Sequence, residues 1–194
     1  MLAGLIPAAG GSTRFGSPKV LATFHGEALV CRAARLLAPL CAAGVHVVVG
    51  AGADSVRAAL AAGPGATVVD NPDWAGGLST SLARGVAALP PIAAAVLILL
   101  ADQPAVTAAD LAALLAAWRV EPALIAAAGF DGQLGPPVIM PREFWPQLRA
   151  LRGDQGARSL LEWHAERTVV PMPHAALDVD TPAELARLEA APAQ

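Results

Sequence analysis

The sequence predicts an α/β protein with a mostly parallel central sheet, and three observations predict it. Short apolar runs alternate with longer Ala/Leu-rich stretches of helical period, the pattern of strands joined by crossover helices. The apolar runs are continuous rather than alternating, which suits strands covered on both faces. Glycine-rich and polar segments follow the ends of these runs, the edge at which open parallel sheets collect their ligands.

Strands are expected near Leu2 to Pro7, Val45 to Gly50, Ala66 to Asp70, Ala95 to Leu100 and Leu124 to Ala128. Helices are expected from about Glu27 to Cys41, Asp54 to Ala62, Ser79 to Leu89, Thr107 to Trp118 and Gly156 to Ala165. Thr107 and Asp110 have the spacing of an N-terminal capping box. After Ala128 the alternation breaks into DGQLGPPVIMP, then a helical RGDQGARSLLEWH and a strand-like TVVPM. A last helix follows, for which Thr181, Pro182 and Glu184 supply the cap, the first-turn proline and the capping-box partner.

A chain of 194 residues is a little over one typical domain of ~150 residues, so one domain over 1–194 is expected. Residues of the AVILMFWYC set make up 55%, and 18 glycines raise the apolar share further, above the ~45–50% usual in soluble domains. Intrinsic disorder is thereby excluded. Thirteen basic and sixteen acidic side chains leave a formal charge of −3, a global field that favours neither nucleic acid nor an anionic membrane. The apolar run from Pro90 to Ala101 is far shorter than the ~20 residues needed to span a bilayer. The first residues lack the pattern of a secretory signal, so a cytoplasmic location is expected. Cys31 and Cys41 form no CxxC pair, which suits a reducing compartment and small buried side chains. His25, His46, His164 and His174 show no metal-ligand spacing, and a surface or capping role is expected for each. Lys19 is the only lysine; the other twelve basic residues are arginine.

The segment after the first strand, Ala8 to Lys19, is phosphate-binding material. It offers Gly10, Gly11 and Gly16, hydroxyls at Ser12 and Thr13, and the cations Arg14 and Lys19, so backbone N–H groups can meet phosphate oxygens while fixed charge neutralises them. It is not a Walker A loop, because Ser17 and Pro18 separate Gly16 from the lysine. The dinucleotide fingerprint fails too; its partial echo at Gly50 to Ser55 reads as an ordinary strand-to-helix turn.

Asp102 ends the most apolar run and would project from the carboxyl edge of the sheet. By itself such an aspartate is either a turn former or a metal ligand. Asp178 and Asp180 are two apart, so in extended chain both face one way. Asn71 to Ser79 reads as a turn-rich link into a helix. Gly153 to Arg158 opens another helix, whose free N–H groups and Arg158 suit a phosphate, although an exposed arginine is also an ordinary solvated charge.

Taken in order, AAGxSxRFGxxK, NPDWAGGLSTSL, LADQP, GPPV, GDQGAR and DVDTPAEL resemble the MobA-like nucleotidyltransferases, in particular the molybdenum cofactor cytidylyltransferases. The resemblance implies a three-layer, Rossmann-like nucleotidyltransferase fold. It implies transfer of CMP from CTP to molybdenum-bound molybdopterin with release of pyrophosphate and with Mg²⁺ as cofactor. It assigns nucleotide binding to Ala8, Ala9, Gly10, Gly11, Ser12, Arg14, Lys19, Gly76, Gly77 and Ser79, and catalysis to Arg14, Lys19 and Asp102. Metal binding falls to Asp102 and Asp180, and acceptor binding to Gly135 and Arg158. For Asp178, outside that assignment, a structural hydrogen bond is expected. Ala9 stands where GTP-using relatives tend to carry glycine, which favours CTP on steric grounds. Pro136 stands where many cofactor cytidylyltransferases carry histidine, a departure on the acceptor side. Other readings are a GTP-dependent guanylyltransferase, a cytidylyltransferase for a sugar or polyol phosphate, and a noncatalytic accessory protein that delivers cofactor to a molybdenum hydroxylase apoenzyme. Nucleic acid and membrane partners are not expected.

Overall fold

A computed structural model of the chain describes residues 1–12, 15–16, 18–63 and 65–191. In chain order it contains β1 (Leu2–Ala8), β2 (Thr23–Phe24), β3 (Glu27–Ala28), α1 (Leu29–Leu37), β4 (Val45–Val49), α2 (Ala53–Ala61), β5 (Thr67–Asp70) and α3 (Leu78–Ala88). There follow β6 (Ala95–Ile98), α4 (Ala108–Val120), β7 (Ile125–Phe130), β8 (Gln133–Pro141), α5 (Trp145–Ala150), α6 (Ala157–Trp163), β9 (Arg167–Pro171) and α7 (Pro182–Ala190). Single 3₁₀ turns sit at Lys19–Leu21, Trp74–Gly76, Arg142–Phe144 and Pro173–Ala176.

Seven strands form the central sheet in the order β5-β4-β1-β6-β8-β7-β9. Every strand pair is parallel except those that β8 makes with β6 and β7. Side chains alternate between the two faces, as strand geometry requires. From β1, Leu2 and Ile6 enter one core with Val30 and Leu37 of α1, Val56 of α2 and Leu114 of α4. Ala3 and Leu5 enter the other with Leu82 of α3, Leu148 of α5 and Leu160 of α6. The sheet is thus the middle of three layers, which is why its central strands read as unbroken apolar runs. Among the described residues no helix is long and apolar enough to cross a membrane.

The expected strands and helices are present with ends shifted by a few residues, and four local features differ. The helix expected from Glu27 begins at Leu29, because Thr23 to Ala28 form a small antiparallel hairpin. His25 and Gly26 at its tip both have positive φ, 49° and 79°, the requirement of a two-residue type I′ turn. A second hairpin joins β7 to β8 through Asp131 and Gly132, at φ 47° and 71°. Its returning strand was obscured by Pro136 and Pro137. Ala127 pairs with Val138, but Ala128 pairs with Gly135, so both prolines fall in a bulge where no ladder N–H is needed. α5 was not expected; it is a six-residue helix with proline in its first turn. Finally, His46 is neither a surface nor a capping residue. It lies buried in β4, and burial pushes its pKa below the usual 6.5.

Both expected capping boxes are formed. In α4, Thr107 Oγ1 accepts the Asp110 N–H at 3.2 Å and the Asp110 carboxylate accepts the Thr107 N–H at 2.8 Å. His174 Nδ1 lies 2.8 Å from the same carboxylate, tying the Pro173–Ala176 turn to the start of α4. Thr107→Ala is expected to cost about 1 kcal/mol, a fall of about 2–4 °C in Tm for a chain of this size. Thermal unfolding checks this, and an unchanged Tm contradicts it.

Candidate active site

At the carboxyl edge of the sheet, three segments far apart in sequence meet on one ammonium group. Lys19, on the turn that follows the glycine-rich loop, donates to Asp102 Oδ2 at 2.7 Å and to Asp180 Oδ1 at 3.0 Å. The loop itself holds the lysine in place: Ser12, at φ 49°, accepts the Lys19 backbone N–H on its Oγ at 3.1 Å. Asp180 reaches Asp102 because the Val179 N–H donates to the Asp102 carbonyl at 2.9 Å. Val179 is anchored in a small core with Phe15, Phe24, Leu29 and Leu185, so the loop, the first hairpin and α7 pack around one another. Arg32 of α1 donates to the Pro104 and Val106 carbonyls at 2.9 and 3.3 Å, fixing the turn that carries Asp102.

Burial by itself would lower the Lys19 pKa, but the charges and hydrogen bonds of Asp102 and Asp180 outweigh it and hold the pKa above 10.5. Lys19 is therefore a cation throughout the neutral range. Among the described residues Asp102 Oδ1 is buried and accepts no hydrogen bond, although a buried oxygen of this kind is costly unless something satisfies it. With Asp180 beside it, this oxygen-only donor set suits a hard divalent cation, which typically takes one or two carboxylates and completes its shell with phosphate and water. Among the described residues no group of three or more His, Cys, Asp and Glu could hold a metal, so a cation here would depend on a ligand for its remaining partners.

Two cavities open on this centre. The first, of about 550 Å³, is walled by Ala8, Ala9, Gly10, Gly11, Ser12, Lys19, Trp74 and Gly77, with Asp102, Asp154 and Asp180 also in its lining. The second, of about 580 Å³, is walled by Phe130, Asp131, Gly135, Pro136, Arg158 and Asp178 and again reaches Asp102 and Asp154. Asp102 stands where the two spaces meet.

The structure thus brings together most of the residues singled out in the sequence. Gly76 and Ser79 do not line the first cavity. Ser79 is buried, and its N–H donates to the Gly153 carbonyl at 3.0 Å, a contact that holds the start of α3 against the Gly153–Gly156 segment. Arg14 lies outside the described residues. Asp178 is exposed, lines the second cavity and makes no side-chain hydrogen bond among the described residues, so the structural bond expected of it is not formed. The Ala9 methyl packs into the core beneath Gly50, so it bounds the first cavity from below rather than projecting into it.

Sequence reasoning passed over two contributors. Asn71 is buried; its amide donates to Thr80 and Ser81 hydroxyls at 2.9 and 3.1 Å and accepts the Asp73 N–H at 3.1 Å. It shapes the turn that presents Trp74, an exposed aromatic on the cavity wall. The signal for Asn71 was its place at a strand end, where an Asx turn forms readily. Trp74 rests on glycines. A Cβ at Gly50 would sit 2.6 Å from Trp74 Cβ and Cγ, and one at Gly11 would sit 3.2 Å from its ring. Gly77, at φ 94°, has the Gly153 carbonyl 2.4 Å from the position of a Cβ, so no other residue fits there.

The model of the MobA-like NTP transferase domain matches residues 4–168. The chain belongs to this family. Asp180 lies beyond the matched stretch, yet the fold returns it to Lys19. A crystal structure of a homologue of Mycobacterium tuberculosis Rv0371c, from Mycobacterium sp. strain JC1, is 29% identical, with 97% of this chain and 95% of that one covered and a TM-score of 0.77. Rv0371c from M. tuberculosis H37Rv is 27% identical over 99% of this chain and 100% of that one, at a TM-score of 0.79; a manganese complex of Rv0371c is 25% identical over 98% of each, at 0.76. A search among curated proteins finds no match. This MobA-like protein is a nucleotidyltransferase by family, with the three-layer fold that the family motifs imply.

Two outcomes follow for this MobA-like site. Gly50→Ala must displace Trp74 or strain the β4–α2 turn, costing about 1–3 kcal/mol in thermal or chemical unfolding; wild-type stability would show that Trp74 is not close-packed on Gly50. Because the Lys19 pKa is raised in the folded state, its contribution to stability is fully present below pH 10.5 and is lost as pH rises through the folded value. A Lys19→Met variant is therefore expected to be less stable at neutral pH and to lack the wild-type decline above pH 10.5. Parallel alkaline limbs in the two proteins would contradict it.

Proposed function

We propose that this protein transfers CMP from CTP to the phosphate of molybdenum-bound molybdopterin, releasing pyrophosphate, and that it works in the cytoplasm. The observation that carries the reading is the meeting of two cavities at Asp102, beside Lys19 and Asp180. One cavity has the glycine-rich wall suited to a triphosphate. The other has room for an acceptor. A reaction between two bound phosphates needs this adjacency, since aligning the partners can supply a large share of the rate. The manganese complex of Rv0371c supports a divalent cation in the family, and the oxygen ligands here fit Mg²⁺.

In this reading CTP lies along Ala8 to Ser12 and Lys19, with Arg14 on the same loop. Backbone N–H groups of the loop bind phosphate oxygens, and the Lys19 ammonium offsets charge at the transferring phosphate. Asp102 and Asp180 would hold Mg²⁺, which when bound polarises phosphate oxygens and neutralises developing charge. Arg158 and Gly135 line the acceptor space. An acceptor phosphate oxygen attacks the α-phosphorus, the bond to the bridging oxygen of the β-phosphate breaks, and pyrophosphate carries the electron pair away. No general base is required, because the attacking phosphate is already ionised at neutral pH. The choice of CTP over GTP rests on the likeness of the Ala8-Ala9-Gly10 loop to the cofactor cytidylyltransferases, since the Ala9 methyl itself faces the core.

Incubation with each nucleoside triphosphate, Mg²⁺ and molybdopterin, followed by mass analysis, tests the reading; the expected product is the cytosine dinucleotide form of the cofactor. A guanine product would assign GTP, and absence of pyrophosphate release would leave an accessory role. Lys19→Ala and Asp102→Ala are each expected to lower turnover by on the order of 10²–10³ or more while the circular dichroism spectrum stays native. Full activity in either variant overturns the assignment.

A further inference from the structure

The charged side chains of the second cavity are predominantly acidic. Asp131 at the tip of the β7–β8 hairpin, Asp154 before α6 and Asp178 before α7 all line it, and all are exposed at its rim. Ionised carboxylates only accept hydrogen bonds. Deeper in the same wall is Gln103, 6% exposed. Its Nε2 donates to the Pro136 carbonyl at 2.9 Å and the Ala175 carbonyl at 2.8 Å. Both amide hydrogens are thus used, and a flipped amide would set its oxygen against two carbonyl oxygens. The remaining polar atom, Oε1, is buried and accepts no hydrogen bond among the described residues. Another acceptor is therefore fixed in place without a donor. Against these stands Arg158, the single basic residue among the described residues of this wall.

We infer that this cavity selects its acceptor by hydrogen-bond donors: a phosphate monoester, held through Arg158, whose distal end offers several N–H or O–H groups and bears no carboxylate. The inference rests on the reading of this space as the acceptor side of a nucleotidyltransferase and narrows what that acceptor is. For a pterin the donor-rich end is the amino and ring N–H edge, and Phe130 adds an aromatic side chain to the same wall. For a polyol phosphate it is the row of hydroxyls. An anionic distal end would meet like charge from Asp131, Asp154 and Asp178 and would offer Gln103 Oε1 no donor.

The test uses the whole protein with Mg²⁺ and a non-hydrolysable CTP analogue, and two phosphate monoesters that differ at one carbon. Glycerol 3-phosphate ends in a hydroxymethyl group, and 3-phosphoglycerate in a carboxylate. Ligand-observed NMR titration is expected to show the first binding at least about tenfold more tightly, the scale of one charge-assisted hydrogen bond gained against one repulsion. In the double variant Asp131→Asn, Asp178→Asn the discrimination should shrink to within about threefold, and the KM for molybdopterin should rise about tenfold while that for CTP stays within about twofold. Equal binding of the two monoesters to the wild type, or discrimination unchanged in the double variant, overturns the inference. Should molybdopterin not be turned over while glycerol 3-phosphate still outbinds 3-phosphoglycerate, the acceptor named above falls and the donor rule stands.

Discussion

A single ammonium group organises the functional edge of this protein. Lys19 is shared by carboxylates 83 and 161 residues away along the chain, and each of the three groups would be costly to bury without the others. The loop between β1 and Lys19 must therefore close in a form that points the side chain inward, and the segment before α7 must return across the sheet. The Val179 to Asp102 backbone bond and the small core of Phe15, Phe24, Leu29, Val179 and Leu185 hold that return. What results is a patch of alternating charge at a strand edge, fixed before any ligand arrives. Such preorganisation is the main thing a protein can contribute to phosphoryl transfer, where little covalent chemistry falls to side chains.

The reversed strand β8 makes the second half of the site. It sits between β6 and β7, antiparallel to both, so the β7–β8 turn is brought back to the edge that already carries Asp102. The proline bulge leaves the Pro136 carbonyl outside the ladder, where Gln103 takes it. One buried amide thereby joins the turn after β6, the bulge in β8 and the turn before α7. A parallel strand in that place would have put its early residues, Gly135 and Pro136, at the opposite edge, and the second cavity would lack that wall.

Several of these features were legible from residues alone. The Thr107/Asp110 and Thr181/Glu184 boxes are local patterns whose hydrogen bonds close within one turn, and both form. The strands β1, β4 and β6 announced themselves because burial on both faces leaves His46 of β4 as their one polar position. The His25-Gly26 and Asp131-Gly132 hairpins were written just as locally, yet flanking signals hid them: a helical period after Glu27 in one case, two prolines in the other. His46 could not be placed, because a histidine among valines does not show which residues its ring will meet.

The amino-acid sequence by itself determined the layer architecture, the family, and the identity of the loop and acidic residues at the carboxyl edge, since periodicity, turn chemistry and ordered motifs are properties of short segments. Only the tertiary structure decided that Lys19 lies between Asp102 and Asp180, that Trp74 rests on Gly50 and Gly11, and that Gln103 leaves one acceptor atom unpaired beside three carboxylates. These are relations between segments distant in the chain. They depend on strand order and on how closely backbones approach, and neither quantity is encoded at any one position.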